Sequence, residues 1–375
     1  MVDLDITADD ENTMITRADA KRMIQMAVAQ AMSRISRAPL PIKLFGLNGT
    51  NGYANKVAAH MGLKLTPHTE KVFDDGETHA KSTSDPIGNV RGHHAFLIQS
   101  LYSDMVESVS DKLVKMLMFC GSLHDASAEK VTAVIPHLAW ARQDRKTESR
   151  APITTKYVAK MLEAVGVQHC VFIDVHNLSA EQNAFWVPID VLETKNLHAQ
   201  WCAERLKAKS SKKVRVVSPD SGGVPRCTRF RNALAKCLGE DHEENIEICV
   251  YDKVRDGKSG KVTGGRIIGD VEDADAIIYD DLISTATTMG KAYKAVVQSN
   301  GNVLCLAAAH GVCCGRVNEV FDKISCPIIL GDTIEPYRLN ATNLAKVELL
   351  DTSRMMAEAI TRIHRGTGSI SELLG

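Results

Sequence analysis

Two adjacent carboxylates, Asp280 and Asp281, close an apolar, β-branched segment, and Ser284, Thr285, Thr287 and Thr288 follow around Ala286 in AIIYDDLISTATTMGKA, residues 276–292. Backbone N–H groups at a helix start, helped by hydroxyl side chains, can cradle a phosphate. Two carboxylates cannot bind that same phosphate. They suit neutral hydroxyls, as on a ribose, or a divalent cation, so the combined specification is a pocket for a sugar phosphate. A polar strand end followed by an ordinary helix cap would use the same residues, and this stretch alone leaves both readings open.

The pattern D-D-x-x-S-T-x-x-T after an apolar strand resembles the ribose-phosphate loop of the type I phosphoribosyltransferase fold. Three further motifs, FDDGE at 73–77, RQDRKTESRAPIT at 142–154 and FIDVH at 172–176, occur in matching order and spacing. With them the chain is similar to the ribose-phosphate pyrophosphokinases, also called phosphoribosyl pyrophosphate synthetases, from about Ile42 to the last helix. The resemblance implies an enzyme that transfers the β,γ-diphosphoryl group of ATP to the C1 hydroxyl of ribose 5-phosphate for nucleotide biosynthesis, with Mg2+ as cofactor. It also implies a homo-oligomer built from dimers, up to a hexamer.

Residue by residue, the resemblance implies an ATP site of Phe73, Asp75, Gly76, Glu77, Arg142, Gln143, Asp144 and Arg150. Phe73 can stack on a purine while Asp75 and Glu77 accept hydrogen bonds, and in the family this loop comes from a neighbouring subunit. The same letters also make a good turn in any fold. Guanidinium forks in the 142–150 run match phosphate oxygens two at a time. His176 with Asp220 of SPDSGG, and Asp174 at the same strand end by period two, are the implied metal residues. Magnesium prefers oxygen, so His176 is expected to act through water or directly on phosphate. Asp280, Asp281 and residues 284–288 would bind ribose 5-phosphate. Lys253 and Arg255, alternate residues leaving a strand, would stabilise charge on the transferred phosphate at the root of a glycine-bearing loop.

Some positions depart from the usual family pattern. Thr287 stands where most relatives have Gly, Ser284 replaces a frequent Asp, and Asn177 follows His176 where a small residue is common. A phosphoribosyltransferase would share the 280–288 loop but has no reason to carry FDDGE, RQDRK or DVH. A non-catalytic regulatory subunit is countered by the retention of Lys253, Arg255, His176 and Asp220.

The elements that must position these residues alternate. IKLFGLNG, HAFLIQSL, KVTAVIPHLAW, CVFIDVH, KVRVVSP, IEICVYDK, DAIIYDD, VLCLAAAHG and CPIILGDT read as strands, with helical spacing in VESVSDKLVKMLMFCG, APITTKYVAKMLEAVGV, GGVPRCTRFRNALAKCLG and TTMGKAYKAVVQSNG. Strand, helix, strand over this length predicts an α/β protein with mainly parallel sheets covered on both faces. The run exceeds one sheet, so we expect an extension over 1–40 and two phosphoribosyltransferase-like domains, 41–190 and 191–375, the second ending in a helix over 351–364. In the extension, Thr16 and Asp19 suggest a cap, and Met23, Met26, Val28, Ala31, Met32 and Ile35 an imperfect apolar stripe on a helix packed on its own domain.

A chain of 375 residues with 44% hydrophobic content can build such cores. Its 45 basic and 46 acidic residues give a net charge of −1, so no global field draws in nucleic acid or an anionic membrane. No apolar run approaches the roughly 18 residues of a membrane span. The acidic start is unlike a secretory signal, and the end ELLG is not the S-K-L address. Ten scattered cysteines without a C-x-x-C pair predict reduced, mostly buried thiols and a cytoplasmic protein.

Overall fold

A computed structural model describes residues 20–26, 40–209, 213–239, 245–255 and 262–374. The chain divides into two compact units, Met1–Leu40 and Pro41–Gly375. In the first, residues 20–26 are helical. Thr16, Asp19, Val28, Ala31, Met32 and Ile35 of the expected cap and stripe lie outside the described residues.

The larger unit contains two main sheets. In chain order, the first uses β1 (Ile42–Gly46), β4 (His94–Ile98), β5 (Lys130–Ile135), β6 (His169–Ile173) and β7 (Ile189–Leu192). All its pairs are parallel, in the order β1-β4-β5-β6-β7. Between β1 and β4 stand helix α1 (Asn51–His60) and an antiparallel hairpin of β2 (His68–Val72) and β3 (Thr78–Ser82). Helices α2 (Val109–Asp125) and α3 (Thr154–Ala164) cover one face of the sheet with Leu113, Met116, Phe119, Val158 and Leu162. A capping box fixes the start of α2, where Ser108 and Asp111 satisfy each other's backbone N–H groups. A short α4 (Leu178–Ala184) joins β6 to β7.

The other face of that sheet is covered by α1 and by the far end of the chain. The last long helix, Ser353–Arg365, packs Met356, Ala357, Ala359 and Ile360 against Leu44, Phe96, Val171 and Tyr53. Sequence grouping placed this helix with the second domain. The first sheet is apolar on both faces, and α2 and α3 lie on one only, so the terminal helix fills the side left open. The boundary at 190 also falls inside β7, whose register with β6 runs from Ile189 to Leu192.

The second sheet comprises β8 (Val214–Ser218), β9 (Ile246–Arg255), β10 (Val262–Ile268), β11 (Asp275–Ile283), β12 (Asn302–Gly311), β13 (Ile328–Gly331) and β14 (Val347–Leu350). Its order is β10-β9-β8-β11-β12-β13-β14, with only the β9–β10 pair antiparallel. Neighbouring β8 and β11 send their crossovers in opposite directions. The helix Val224–Leu238 leads from β8 to β9 and packs on one face, while Thr287–Gln298 leads from β11 to β12 and packs on the other. That divergence opens a crevice at the carboxyl ends of β8 and β11.

The two sheets are tied by buried hydrogen bonds. His310 on β12 directs Nε2 to the carbonyls of Ile173 and Asp174 at 2.9 and 3.0 Å, while its Nδ1 meets the Thr333 hydroxyl at 2.7 Å. Ser100 Oγ donates to the Thr333 carbonyl at 2.6 Å. His137, tilted against His310, is buried, and His169 pairs with Asp190 at 2.8 Å. All ten cysteines are free thiols. Among the described residues no helix is long and apolar enough to cross a membrane.

Candidate active site

The crevice between β8 and β11 is a cleft of about 130 Å³, lined by Arg142, His176, Asp220, Asp280, Asp281 and the run Leu282–Met289. Strand β11 continues through both aspartates to Ile283, whereas its pairing with β8 stops at Ile278. The carboxylates therefore stand on a strand edge whose neighbour has ended. At Ala286 the backbone turns to φ 59°, ψ 2°, the left-handed region, and the helix begins at Thr287. This tight turn puts Ser284, Thr285, Ala286, Thr287 and Thr288 on one wall. Thr287, the β-branched departure, is exposed and joins its hydroxyl to that of Thr285 at 3.0 Å. Ser284 meets Cys314 Sγ at 3.2 Å, and Cys314 N donates to the Ser284 carbonyl, so the turn after β12 braces the loop.

Asp280 and Asp281 share a cationic frame. Arg226 Nη1 lies 2.6 Å from Asp280 Oδ1 and 3.4 Å from Asp281 Oδ1, and its Nη2 donates to the His176 carbonyl at 3.1 Å. His176 Nδ1 donates to Asp281 Oδ2 at 2.8 Å. Burial pushes the Asp280 carboxyl well above the ordinary range, and the charge on Asp281 acts in the same direction. Burial opposes ionisation of Asp281 too, but Arg226 and the His176 hydrogen bond outweigh it and hold that carboxyl low. The bond to Asp281 in turn lifts His176 above the usual imidazole value, against burial. The pair thus carries one firm negative charge and resists the second.

Across the cleft, Asp220 Oδ1 accepts from Gly223 N at 3.2 Å and caps the turn Ser221–Gly223 that opens the following helix. Arg142 is exposed and reaches the cleft from the loop after β5. Gln143 accepts from the Thr154 hydroxyl, and Asp144 accepts from Asn177 Nδ2 at 2.6 Å. Asn177 Oδ1 also caps α4, which accounts for an amide at that position. Arg150 is exposed with φ 66°.

Asp174 and His176 line one cavity beside the crevice between β8 and β11. Strand β6 ends at Ile173, and Asp174 takes φ 39° and gives Oδ2 to Thr194 N and Oγ1 at 2.7 and 2.6 Å. Asp174 is buried, and this adjoining cavity of about 250 Å³ shares Arg142, His176, Asp281, Leu282 and Ser284 with the crevice. Phe73, Asp75, Gly76 and Glu77 form the tip of the β2–β3 hairpin, closed by Phe73 N to the Glu77 carbonyl at 2.8 Å, and none of them lines the cleft. Lys253 and Arg255 end β9 opposite Gly265 and Val262, and their side chains lie outside the described residues.

Among the described residues no group of three or more His, Cys, Asp or Glu side chains is arranged to hold a metal ion. A closed protein cage is therefore not present there. The cleft offers Asp220 and His176 in its lining, a sparse donor set that fits an octahedral cation arriving with several waters and substrate phosphates.

Arg226 was missed by motif reading. Its signal was available: a cation in the first turn of a helix opposes the helix dipole and calls for nearby carboxylates.

Residues 42–166 match the family model described as the N-terminal domain of ribose phosphate pyrophosphokinase, and residues 238–374 match the phosphoribosyl synthetase-associated domain. Ribose-phosphate pyrophosphokinase 1 of Streptococcus pyogenes is 34% identical over 325 residues, covering 86% of this chain and 94% of its own length. This chain belongs to the ribose-phosphate pyrophosphokinase family. Ribose-phosphate pyrophosphokinase 2 of Schizosaccharomyces pombe is 31% identical over 87% of this chain and 95% of its own. Among solved structures, phosphoribosylpyrophosphate synthetase from Mycobacterium smegmatis superposes with a TM-score of 0.75 at 25% identity, over 87% of this chain and 100% of that one. The family's fold, parallel sheets flanked by helices, is the one built here.

Proposed function

We propose that the chain is a ribose-phosphate diphosphokinase. The C1 hydroxyl of ribose 5-phosphate attacks the β-phosphorus of ATP; a C1–O–P bond forms, the bridge between the α- and β-phosphates breaks, AMP leaves and the hydroxyl proton is released. The observation that carries this reading is one cleft lined together by the Asp280–Asp281 pair, the 284–288 helix start, Arg142, His176 and Asp220. The carboxylates suit pentose hydroxyls, and the N–H groups opening the helix suit the 5-phosphate. Arg142, Gln143, Asp144 and Arg150 are the ATP side, and Arg142 reaches the cleft to meet the polyphosphate. Lys253 and Arg255 are assigned to charge stabilisation, where cations around the transferred phosphorus lower the barrier.

Magnesium would be held by Asp220, and by His176 through water, and would neutralise phosphate charge when bound with the nucleotide. The Phe73–Glu77 tip lies away from this cleft, which supports a homo-oligomer in which a second copy supplies it to the purine. A cytoplasmic place in nucleotide biosynthesis belongs to the same reading.

Incubating the purified chain with ATP, magnesium and ribose 5-phosphate and following AMP decides the matter. AMP formed in step with the diphosphate sugar is expected. A folded chain that makes none alone, but raises the rate of an active relative when mixed with it, would instead be a regulatory subunit.

A further inference from the structure

Arg226 is the third residue of the helix Val224–Leu238, directly after the turn that presents Asp220. Its side chain is only 11% exposed and folds back over Gly223, where an added Cβ would lie 2.6 Å from Ser218 Oγ and 3.7 Å from Arg226 Nη1. The guanidinium then works as a fork. Nη1 takes Asp280 Oδ1 at 2.6 Å, and Nη2 takes the backbone carbonyl of His176 at 3.1 Å. Asp280 Oδ1 accepts from Asp281 N as well, at 2.9 Å, so that one oxygen is held from two directions. His176 follows a strand of the first sheet, while Asp280 lies on a strand of the second and the helix bearing Arg226 follows another strand of that same sheet.

We propose that Arg226 is a positioning residue for the pentose: it orients Asp280 and locks the His176 segment against it across the two sheets. This rests on the reading that Asp280 and Asp281 hold the sugar. A lysine would keep the charge, but one ammonium cannot occupy both ends of the fork. It releases either the Asp280 oxygen or the His176 segment, and the hydroxyls of the sugar meet a carboxyl group that must first be ordered. The nucleotide side is held chiefly from the loop after β5 and meets Arg226 only through the His176 backbone, so it depends on this less.

The test uses the full chain, Arg226→Lys, Arg226→Ala, and Arg229→Ala as a control on the same helix, where Arg229 pairs with Glu193 outside the cleft. Ribose 5-phosphate binding is measured by calorimetry, and the KM values for ribose 5-phosphate and ATP by initial rates. The expected result is a melting temperature for Arg226→Lys close to the parent's, with ribose 5-phosphate affinity and KM worsened about tenfold, the scale of one charge-assisted hydrogen bond, and the KM for ATP nearly unchanged. Arg226→Ala should be worse, and Arg229→Ala unaffected. A folded Arg226→Lys that binds ribose 5-phosphate like the parent, or that loses ATP and sugar affinity equally, overturns the inference and leaves the function standing. Failure of the parent itself to bind ribose 5-phosphate overturns both.

Discussion

Replacing Glu181 by Gln probes the buried support under the nucleotide loop. Glu181 lies on α4 with no exposed surface; its Oε1 is 3.2 Å from Thr155 Oγ1, and its Oε2 has no hydrogen-bond partner. The Thr155 hydroxyl also lies 3.1 Å from the Trp140 carbonyl, two residues before Arg142. Thr155 is the donor to both oxygens, and a protonated Glu181 is the weaker rival for its single proton. An ionised one would compete with that carbonyl more strongly. Burial lifts the Glu181 carboxyl from 4.5 to about 7, with Asp144 pushing the same way and the Thr155 bond and His176 opposing. Between those two values the folded chain holds a proton that the unfolded chain has released. Stability therefore falls as pH rises through this window and is level above it. At about 1.4 kcal/mol per pH unit, the window is worth on the order of 3 kcal/mol. Glutamine has no proton to lose, so the melting temperature of Glu181→Gln relative to the parent should climb by roughly 5 °C from about pH 5 to about pH 8. Scanning calorimetry or dye-monitored melting across that range measures it. A difference that stays constant, or shrinks toward high pH, would show that Glu181 is ionised in the fold.

Other substitutions report on separate parts of the molecule. Lys115 is 2% exposed and lies 2.6 Å from Glu70 and 2.8 Å from Glu107, joining the β2–β3 hairpin to α2. Lys115→Met leaves two poorly solvated carboxylates facing each other and should cost about 3 kcal/mol or more in chemical denaturation. Ala286→Gly should leave stability within about 1 kcal/mol, because relief of the left-handed backbone is offset by a lost buried methyl and a freer unfolded chain. Ala286→Val, with a branched side chain at the same φ, should raise the KM for ribose 5-phosphate well above the parent's. Lys253→Ala should lower kcat by orders of magnitude with little change in ATP affinity, since its contact strengthens as charge develops; equal losses in both would remove it from that role.

Much of the chemistry was legible in the residues. The run from Asp280 to Thr288 indicated a strand end, paired acids and a helix start, and the fold joins all of it in one cleft with His176 and Asp220. Apolar segments flanked by helical periods marked every strand of the interior of both sheets. What stayed hidden was weakly patterned or non-local. The helix Lys195–Lys209 buries His198 and Trp201 alongside Ala199 and Leu206, so its buried face reads as polar and mixed. β7, β10 and β14 are edge strands, where one-sided pairing demands little hydrophobic signal, and the β2–β3 hairpin is built of HTEKV and THAKS.

By itself, then, the amino-acid order settled the alternation of strands and helices and the identity of the groups at each strand end, because periodicity and local turn chemistry act over a few residues. Only the tertiary structure decided which of those groups meet. It tied Asp174 to Thr194, set Arg226 between carboxylates 54 and 55 positions along the chain, and laid the terminal helix on the first sheet. Those outcomes depend on where two sheets close against each other, and that is fixed by packing across distances no local pattern records.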